Sequence, residues 1–94
     1  MARKSDHLEI KRDARKELLD LPPKVSRQIQ ETIERLGTAL NEGRRPQDMA
    51  PLRGRPNSYR IDSGEYRVLF ELHDDEGLVV VFRIRHRRDA YRGL

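Results

Sequence analysis

The fold of this chain is decided by two stretches, YRIDSGEYRVLFELH at residues 59–73 and LVVVFRIRHRRDAYR at residues 78–92. Their apolar centres are typical of strands that lie over a core. Ser63-Gly64 and the segment 74–77 are typical tight turns, so we expect three strands at about residues 58–62, 66–73 and 78–86. Both stretches end in basic and aromatic residues, and residues 83–92 hold five arginines against one acid. A sheet with such a cluster at its end is expected to hold phosphate.

The two-residue period of a strand assigns a face to each side chain. It predicts one core face made of Tyr66, Val68, Phe70 and Leu72, continued on the next strand by Leu78, Val80, Phe82 and Ile84. It predicts that the opposite face is apolar near one end and basic toward the other, with Arg67, Arg83, Arg85, Arg87 and, from the strand before, Arg60. The expected geometry is a half-open sheet with a basic groove.

The first part of the chain predicts a short strand and two helices. Leu8-Glu9-Ile10 alternates as a strand does. A helical pattern begins at Asp13, an acceptable N-cap, and ends at Pro22-Pro23. The apolar stripe of a second, amphipathic helix is Val25, Ile29, Ile33, Leu36 and Leu40. Gly43 is placed to end that helix.

Residues 44–56 predict an irregular loop, because they hold three prolines and Gly54. The order of elements predicts an α+β fold: a short N-terminal strand, a two-helix hairpin, and a three-stranded antiparallel meander packed on the helices. Because 94 residues are the size of one domain, we expect residues 1–94 to form a single domain.

Composition narrows the classes of function. The chain has 20 Lys+Arg against 16 Asp+Glu, and arginine far outnumbers lysine. Arginine favours phosphate and acidic partners, because its planar fork donates parallel hydrogen bonds and stays charged. The same composition also suits a protein with many surface ion pairs. There is no cysteine, no apolar leader and no apolar run long enough to cross a bilayer, so we expect a cytoplasmic protein with no membrane partner.

Metal and cofactor motifs are not found in the sequence. The three histidines, His7, His73 and His86, lack ligand spacing, and there is no glycine-rich phosphate loop or nucleophile elbow. We therefore expect no metal and no cofactor. One reaction fits a basic groove: RNA is cleaved when its own 2′-OH attacks the adjacent phosphate. That reaction needs a base, cations for the phosphorane and an acid for the 5′-oxygen.

The chain resembles the RelE/ParE toxin superfamily. The resemblance rests on GEYR at residues 64–67 and HRRDAYR at residues 86–92, and it extends to LEI at 8–10, LLDLPP at 18–23 and LRG at 52–54. It implies the RelE-like fold and the toxin of a type II toxin–antitoxin pair. RelE-like members cleave mRNA in the ribosomal A site, whereas ParE-like members poison DNA gyrase on nearly the same fold.

The resemblance also implies roles for single residues. Arg67 matches a phosphate-stabilising arginine of the RNases, Arg87 matches the arginine near the end of the last strand, and Tyr91 matches the C-terminal tyrosine. Arg60 takes the place of a catalytic lysine, and the next lysine position is Asp62. Because an acid replaces a cation there, a lysine-based mechanism does not transfer intact.

His86 is the candidate for acid–base work in place of that lysine, and Tyr91 is expected to stack on a base or donate a proton. Strict alternation puts His86 on the core side with Ile84, where a structural role is the alternative. It reaches the groove only if the strand bends or ends near Arg85.

Four further arginines are RNA-binding candidates: Arg53, Arg55, Arg83 and Arg85. The last two are also candidates to bind an acidic antitoxin, and the first two lie in the predicted loop. The structural alternative for Arg67 is an ion pair with Glu71 or Asp62 across the sheet.

Together these features predict a ribosome-dependent mRNA endonuclease that uses 2′-OH attack and no metal. Two alternatives stay open: a gyrase poison that binds without catalysis, and an inactive relative that only binds its antitoxin. The implied partners are a cognate antitoxin with an acidic or amphipathic segment, mRNA on the ribosome, and operator DNA reached only through the antitoxin complex.

Overall fold

Two helices and one five-stranded sheet make up the part of the chain that the computed structural model describes, residues 8–73 and 77–89. The elements are β1 (Leu8–Ile10), α1 (Arg12–Asp20), α2 (Pro23–Asn41), β2 (Ala50–Pro51), β3 (Ser58–Ser63), β4 (Tyr66–His73) and β5 (Leu78–His86). The strand order is β1-β5-β4-β3-β2. β1 runs parallel to β5, and the other neighbours are antiparallel. The predicted α+β class is confirmed, with two strands flanking the predicted meander of β3 to β5.

Of the two turns that flank β4, the structure describes the one before it in full and only Gly77 of the one after it. β3 and β4 are joined through Gly64, whose φ of +60° favours glycine, in agreement with the predicted turn. The second predicted turn, at residues 74–77, lies outside the described residues except for Gly77. No helix in the described part of the chain is long and apolar enough to cross a membrane.

α1 begins two residues earlier than the predicted N-cap at Asp13 implies. Its N-cap is Lys11, whose carbonyl accepts a hydrogen bond from the Arg15 N–H at 2.9 Å. The Lys11 N–H donates to the carbonyl of Val81 at 2.8 Å, so the chain passes directly from the sheet into the helix. The prediction that Asp13 is the N-cap is therefore wrong. Asp13 lies in the first turn, where a carboxylate is favoured by the helix dipole.

α2 ends at Asn41, and the predicted Gly43 closes its C-terminus two residues later. Gly43 has a φ of +78°, and its N–H donates to the Leu40 carbonyl at 3.0 Å. The Arg44 N–H reaches the Ala39 carbonyl at 2.8 Å. These two bonds define a Schellman motif, in which the left-handed residue is usually glycine.

The helices pack on one face of the sheet. The buried residues of this layer are Ala14, Leu18, Ile29, Ile33, Leu36, Ile61, Val68, Phe70, Leu72, Val79, Val81 and Ile84. The predicted α2 stripe is confirmed, with Val25 and Leu40 partly buried at its two ends. Because apolar burial is the main favourable term in folding, this layer fixes which sheet face the helices cover.

A bulge interrupts β5. The register pairs Phe70 with Val81 and Leu69 with Arg83, so Phe82 has no partner on β4. An extra residue of this kind reverses the alternation of a strand. The two halves of β5 therefore present opposite residue parities to the helices.

The bulge corrects the predicted core face. Strict alternation predicts that Leu78, Val80 and Phe82 lie on the helix side. In the structure Val79 and Val81 lie in the helix-side core, so that assignment is wrong for the first half of β5. Ile84, beyond the bulge, lies on the predicted side.

A second apolar cluster lies on the sheet face away from the helices. Phe82 and Leu69 contact Leu52 there, and all three are buried. The Leu52 N–H donates to the Ser58 carbonyl at 2.8 Å, which holds the loop over this end of the sheet.

Part of the predicted loop is a strand. β2 pairs with Tyr59 and Arg60 of β3, so the prediction of irregular structure throughout residues 44–56 is wrong at its centre. Pro51 is tolerated there because β2 is an edge strand, where a missing N–H breaks no ladder bond.

Candidate functional site

The sheet face away from the helices carries four arginines that we call the arginine face: Arg60, Arg67, Arg83 and Arg85. The register of β3, β4 and β5 places Asp62, Arg67 and Arg85 in one row, and Arg60, Leu69 and Arg83 in the next. Residues opposite each other on antiparallel strands point to the same side, with strands about 4.8 Å apart. Arginines from three neighbouring strands therefore share one surface.

Asp62 contacts two members of the arginine face. Its Oδ1 accepts a hydrogen bond from Arg67 Nε at 3.0 Å and lies 3.6 Å from Arg60 Nη1. The side chains of Arg60 and Arg67 are 25% and 20% exposed, against 43% for Asp62. Ion pairs this exposed contribute at most about 1 kcal/mol to stability. Their main effect is to orient the two guanidinium groups on the surface.

Glu17 of α1 holds Arg83 at the edge of the sheet. Its Oε2 accepts a hydrogen bond from Arg83 Nε at 3.1 Å, and its Oε1 accepts one from the Ile84 N–H at 2.7 Å. β1 pairs only with residues 79–81, so the outer edge of β5 is open beyond them. The carboxylate supplies the acceptor that a further strand would otherwise give to that backbone donor.

Arg85 differs from its neighbours on the arginine face. Within residues 8–73 and 77–89, no carboxylate forms an ion pair with its guanidinium. It lies opposite Arg67, so the two cations face the same patch of solvent. Two carboxylates offset only part of the charge of four arginines, and the surface stays positive.

Arg55 is anchored within the second apolar cluster. Its guanidinium carbon lies 4.1 Å from the centre of the Phe82 ring, a cation–π contact. Its Nε donates to Ser58 Oγ at 3.2 Å, and its Nη2 donates to Glu71 Oε2 at 3.1 Å. The structure thus gives Arg55 a role in holding the loop down, whereas Arg53 is exposed.

Arg87 lies just beyond the end of β5. Its backbone N–H donates to the Glu65 carbonyl at 2.8 Å, and its Nη2 lies 4.0 Å from Glu65 Oε1. The side chain is 61% exposed, far more than those of Arg60 and Arg67. It stands at the rim of the sheet with freedom to reach a ligand.

His86 lies on the other side of the sheet. It pairs with Tyr66, and the two rings meet edge to face with 5.3 Å between their centres. Its Nδ1 accepts a hydrogen bond from the Arg88 N–H at 3.2 Å. Because Tyr66 packs against the helix-side core, the structure does not bring His86 together with the arginine face. Tyr91 lies outside the described residues.

The sequence did not point to Glu17. Its contacts with Arg83 and Ile84 join residues 66 and 67 positions apart, and no local pattern marks such a pair. In the sequence, Asp62 differs from the lysine that the resemblance places there, and this does not predict its contacts. Its double contact with arginines follows from the β3–β4 register. Among the described residues, no group of three His, Cys, Asp or Glu side chains comes together to hold a metal ion.

The fold and the arginine face define a small toxin of the RelE/ParE class, and comparison with known proteins agrees. The family model described as the ParE toxin of the type II toxin–antitoxin system parDE matches residues 8–91. The toxin named RelE1 of Methanocaldococcus jannaschii is 30% identical over 86 residues, which cover 92% of this chain and 94% of that protein. The chain therefore belongs to the ParE toxin family of type II toxin–antitoxin systems.

Solved structures of similar proteins carry the same fold. A chain of the RelBE2 toxin–antitoxin complex from Mycobacterium tuberculosis is 29% identical, with a TM-score of 0.70 over 88% of this chain and 92% of that one. The isolated RelE toxin of E. coli is 26% identical, with a TM-score of 0.67 over 85% of this chain and 82% of that one. The RelE-like fold is confirmed by these matches.

Proposed function

We propose that this toxin is an endoribonuclease that cuts mRNA on the ribosome by 2′-OH attack and without a metal ion. The observation that carries the proposal is the row of Arg67 and Arg85 on an open sheet face, with Arg60 beside it. Cations preorganised at a developing phosphorane are the main requirement of this reaction. The similar E. coli protein is named RelE toxin, which supports the same choice.

Each predicted residue has a role in this mechanism. Arg67 and Arg87 stabilise the negative charge of the phosphorane, and Arg60 holds the phosphate. Tyr91 stacks on a base or protonates the 5′-oxygen. His86 is the alternative proton donor, and it has to turn around the end of β5 to act, because its ring packs on Tyr66.

The remaining arginines bind the message outside the reacting phosphate. Arg83, Arg85 and Arg53 contact RNA phosphates, and Arg55 does so from its place in the loop. An open sheet face aligns a flexible RNA poorly, so the ribosome supplies the alignment of the 2′-OH with the phosphate. Ribosomes place this activity in the cytoplasm.

The partner that controls the toxin is a cognate antitoxin. Similar chains are solved in complex with antitoxins in the Mycobacterium tuberculosis RelBE2 and E. coli RelBE structures. An acidic or amphipathic antitoxin segment matches the positive charge of the arginine face. Operator DNA is bound only by the toxin–antitoxin complex.

Primer extension on a message translated by purified ribosomes tests the proposal. Wild-type protein is expected to cut within A-site codons, and Arg67→Ala is expected to lower the rate about 10²–10³-fold, the usual loss for one preorganised donor. Arg27→Ala is the matched control, because Arg27 is an exposed arginine of α2, on the helix side. Equal cutting rates for Arg67→Ala and Arg27→Ala would show that Arg67 has no role in the reaction.

A gyrase poison is the second candidate, favoured by the parDE description of the matching family model. This candidate predicts growth arrest with intact message, DNA damage and filamentation. A supercoiling assay with purified gyrase separates the two: inhibition of gyrase together with uncut mRNA would replace the RNase proposal.

A further inference from the structure

The feature that the proposed mechanism leaves unused is the carboxylate of Asp62. It is the acid in the row of Asp62, Arg67 and Arg85. Its Oδ1 contacts Arg67 and Arg60, whereas its Oδ2 has no hydrogen-bond partner among residues 8–73 and 77–89. Oδ1 is thus anchored by the two arginines, on a side chain that is 43% exposed as a whole.

A site that only bound phosphate would be better without this group. A carboxylate beside two phosphate-binding arginines repels the phosphate and competes for their donors. The same carboxylate is useful if the reaction needs a proton acceptor there. RNA cleavage by 2′-OH attack does need one, and His86 lies on the other side of the sheet.

We propose that Asp62 is the general base that takes the proton from the attacking 2′-OH, a role that rests on the proposed ribonuclease activity. A phosphate held midway between Arg67 and Arg85 lies about one and a half strand spacings, roughly 7 Å, from Asp62 along the row. The ribose that carries the attacking 2′-OH is bonded to that phosphate, so its hydroxyl is within reach of Oδ2. Arg60 and Arg67 hold the carboxylate in one orientation, which a positioned base requires.

The step is balanced without a further reactant. Oδ2 removes the 2′-OH proton while the 2′-oxygen forms a bond to phosphorus. The bond from phosphorus to the 5′-oxygen then breaks, and the leaving oxygen takes a proton from solvent or from the acid of the site. The products are a 2′,3′-cyclic phosphate and a 5′-OH end, and the protonated Asp62 returns its proton to water.

Single-turnover cleavage of ribosome-bound mRNA tests the assignment with Asp62→Asn and Asp62→Ala. Asp62→Asn keeps an oxygen for the arginines but accepts no proton, so we expect its rate to fall about 10²–10⁴-fold. Binding to ribosomes is expected to be unchanged or tighter, because a negative charge is lost. Added formate is expected to restore part of the activity of Asp62→Ala, since a small carboxylate can occupy the vacated space. Asp20→Asn, an exposed acid of α1, is the control.

The outcomes separate this inference from the function on which it rests. If wild-type protein does not cleave, the proposed function and the base assignment both fail. If wild type cleaves and Asp62→Asn cleaves equally fast or faster, Asp62 only restrains the arginines and the assignment alone fails. Loss of activity in both variants with no gain from formate would mean that Asp62 merely orients Arg60 and Arg67, which would also overturn it.

Discussion

Two carboxylates contact three of the four arginines of the arginine face. Glu17 draws Arg83 toward α1, and Asp62 draws Arg67 toward β3. Arg85 lies opposite Arg67 in the sheet, and it forms an ion pair with neither Glu17 nor Asp62. At the scale of single residues, the four arginines therefore differ in how available they are to a phosphate, and acidic neighbours set that difference.

Glu71 is expected to make stability depend on pH. Burial by itself raises the pKa of Glu71, but hydrogen bonds from Arg55 and His73 and the charges of Lys11 and Arg55 outweigh it and leave the pKa below its ordinary value. Because the carboxyl pKa is lower in the folded state, the stabilisation is complete above the unfolded-state pKa and is lost as pH falls through the folded-state pKa.

Urea denaturation of Glu71→Gln at two pH values checks this expectation. At pH 7 the variant should lose about 1 kcal/mol of unfolding free energy relative to wild type, and at a pH below the folded-state pKa of Glu71 the difference should shrink toward zero. Glu65→Gln, at an exposed acid with only a long contact to Arg87, should show little difference at either pH. A difference for Glu71→Gln that does not change with pH would rule out the charged contacts as its source.

At the scale of elements, the sequence determines most of the sheet but not the bulge. Alternation of apolar and charged residues along β4 marks its two faces clearly. In residues 78–82 every side chain is apolar, so nothing in LVVVF shows which parity faces the helices or where the extra residue lies. The sequence does not predict the edge strand at Pro51 either. That strand depends on the packing of Leu52 in the second apolar cluster.

The candidate site is predictable to the same extent. The face that Arg67 and Arg85 share follows from alternation, but their common row does not: the pairing of His73 with Leu78 would set Ile84 opposite Arg67 if β5 had no bulge. The side of the sheet taken by His86 also followed from alternation beyond the bulge. Glu17 could not be predicted, because its contact with β5 depends on how α1 packs after the parallel pairing of β1.

Glu17 is expected to stabilise the open edge of β5. Glu17→Ala removes the acceptor of the Ile84 N–H and should cost about 1–3 kcal/mol of unfolding free energy. Glu17→Gln keeps an amide oxygen for that N–H and should lose less. Urea denaturation measures both, with Lys16→Ala at the exposed neighbouring position of α1 as the control. Equal losses for Ala and Gln would assign the effect to the Arg83 ion pair instead of the backbone contact.

At the scale of the whole molecule, the helices and the arginine face lie on opposite sides of one sheet. The core is closed by α1 and α2 on one side, so the other side is free to carry charge without disturbing the hydrophobic layer. A chain with 20 Lys+Arg and 16 Asp+Glu is only weakly basic overall. Its attraction for RNA therefore depends on where the unpaired cations lie more than on net charge.

Arg85 and Arg83 are therefore expected to differ in their contribution to RNA binding. Each phosphate contact with single-stranded RNA adds about 0.7 to the steepness with which log K falls with log salt. Arg85→Ala should weaken binding of a short single-stranded RNA and lower that slope by about 0.7, because no carboxylate in the described part of the chain pairs with its guanidinium. Arg83→Ala should change the slope less, because its guanidinium is already held by Glu17 at 3.0 Å.

Fluorescence anisotropy over a series of salt concentrations measures both slopes, with Arg27→Ala as the control. If Arg83→Ala lowers the slope as much as Arg85→Ala, the ion pair with Glu17 opens on binding, and the availability of the arginines is not set by their acidic neighbours.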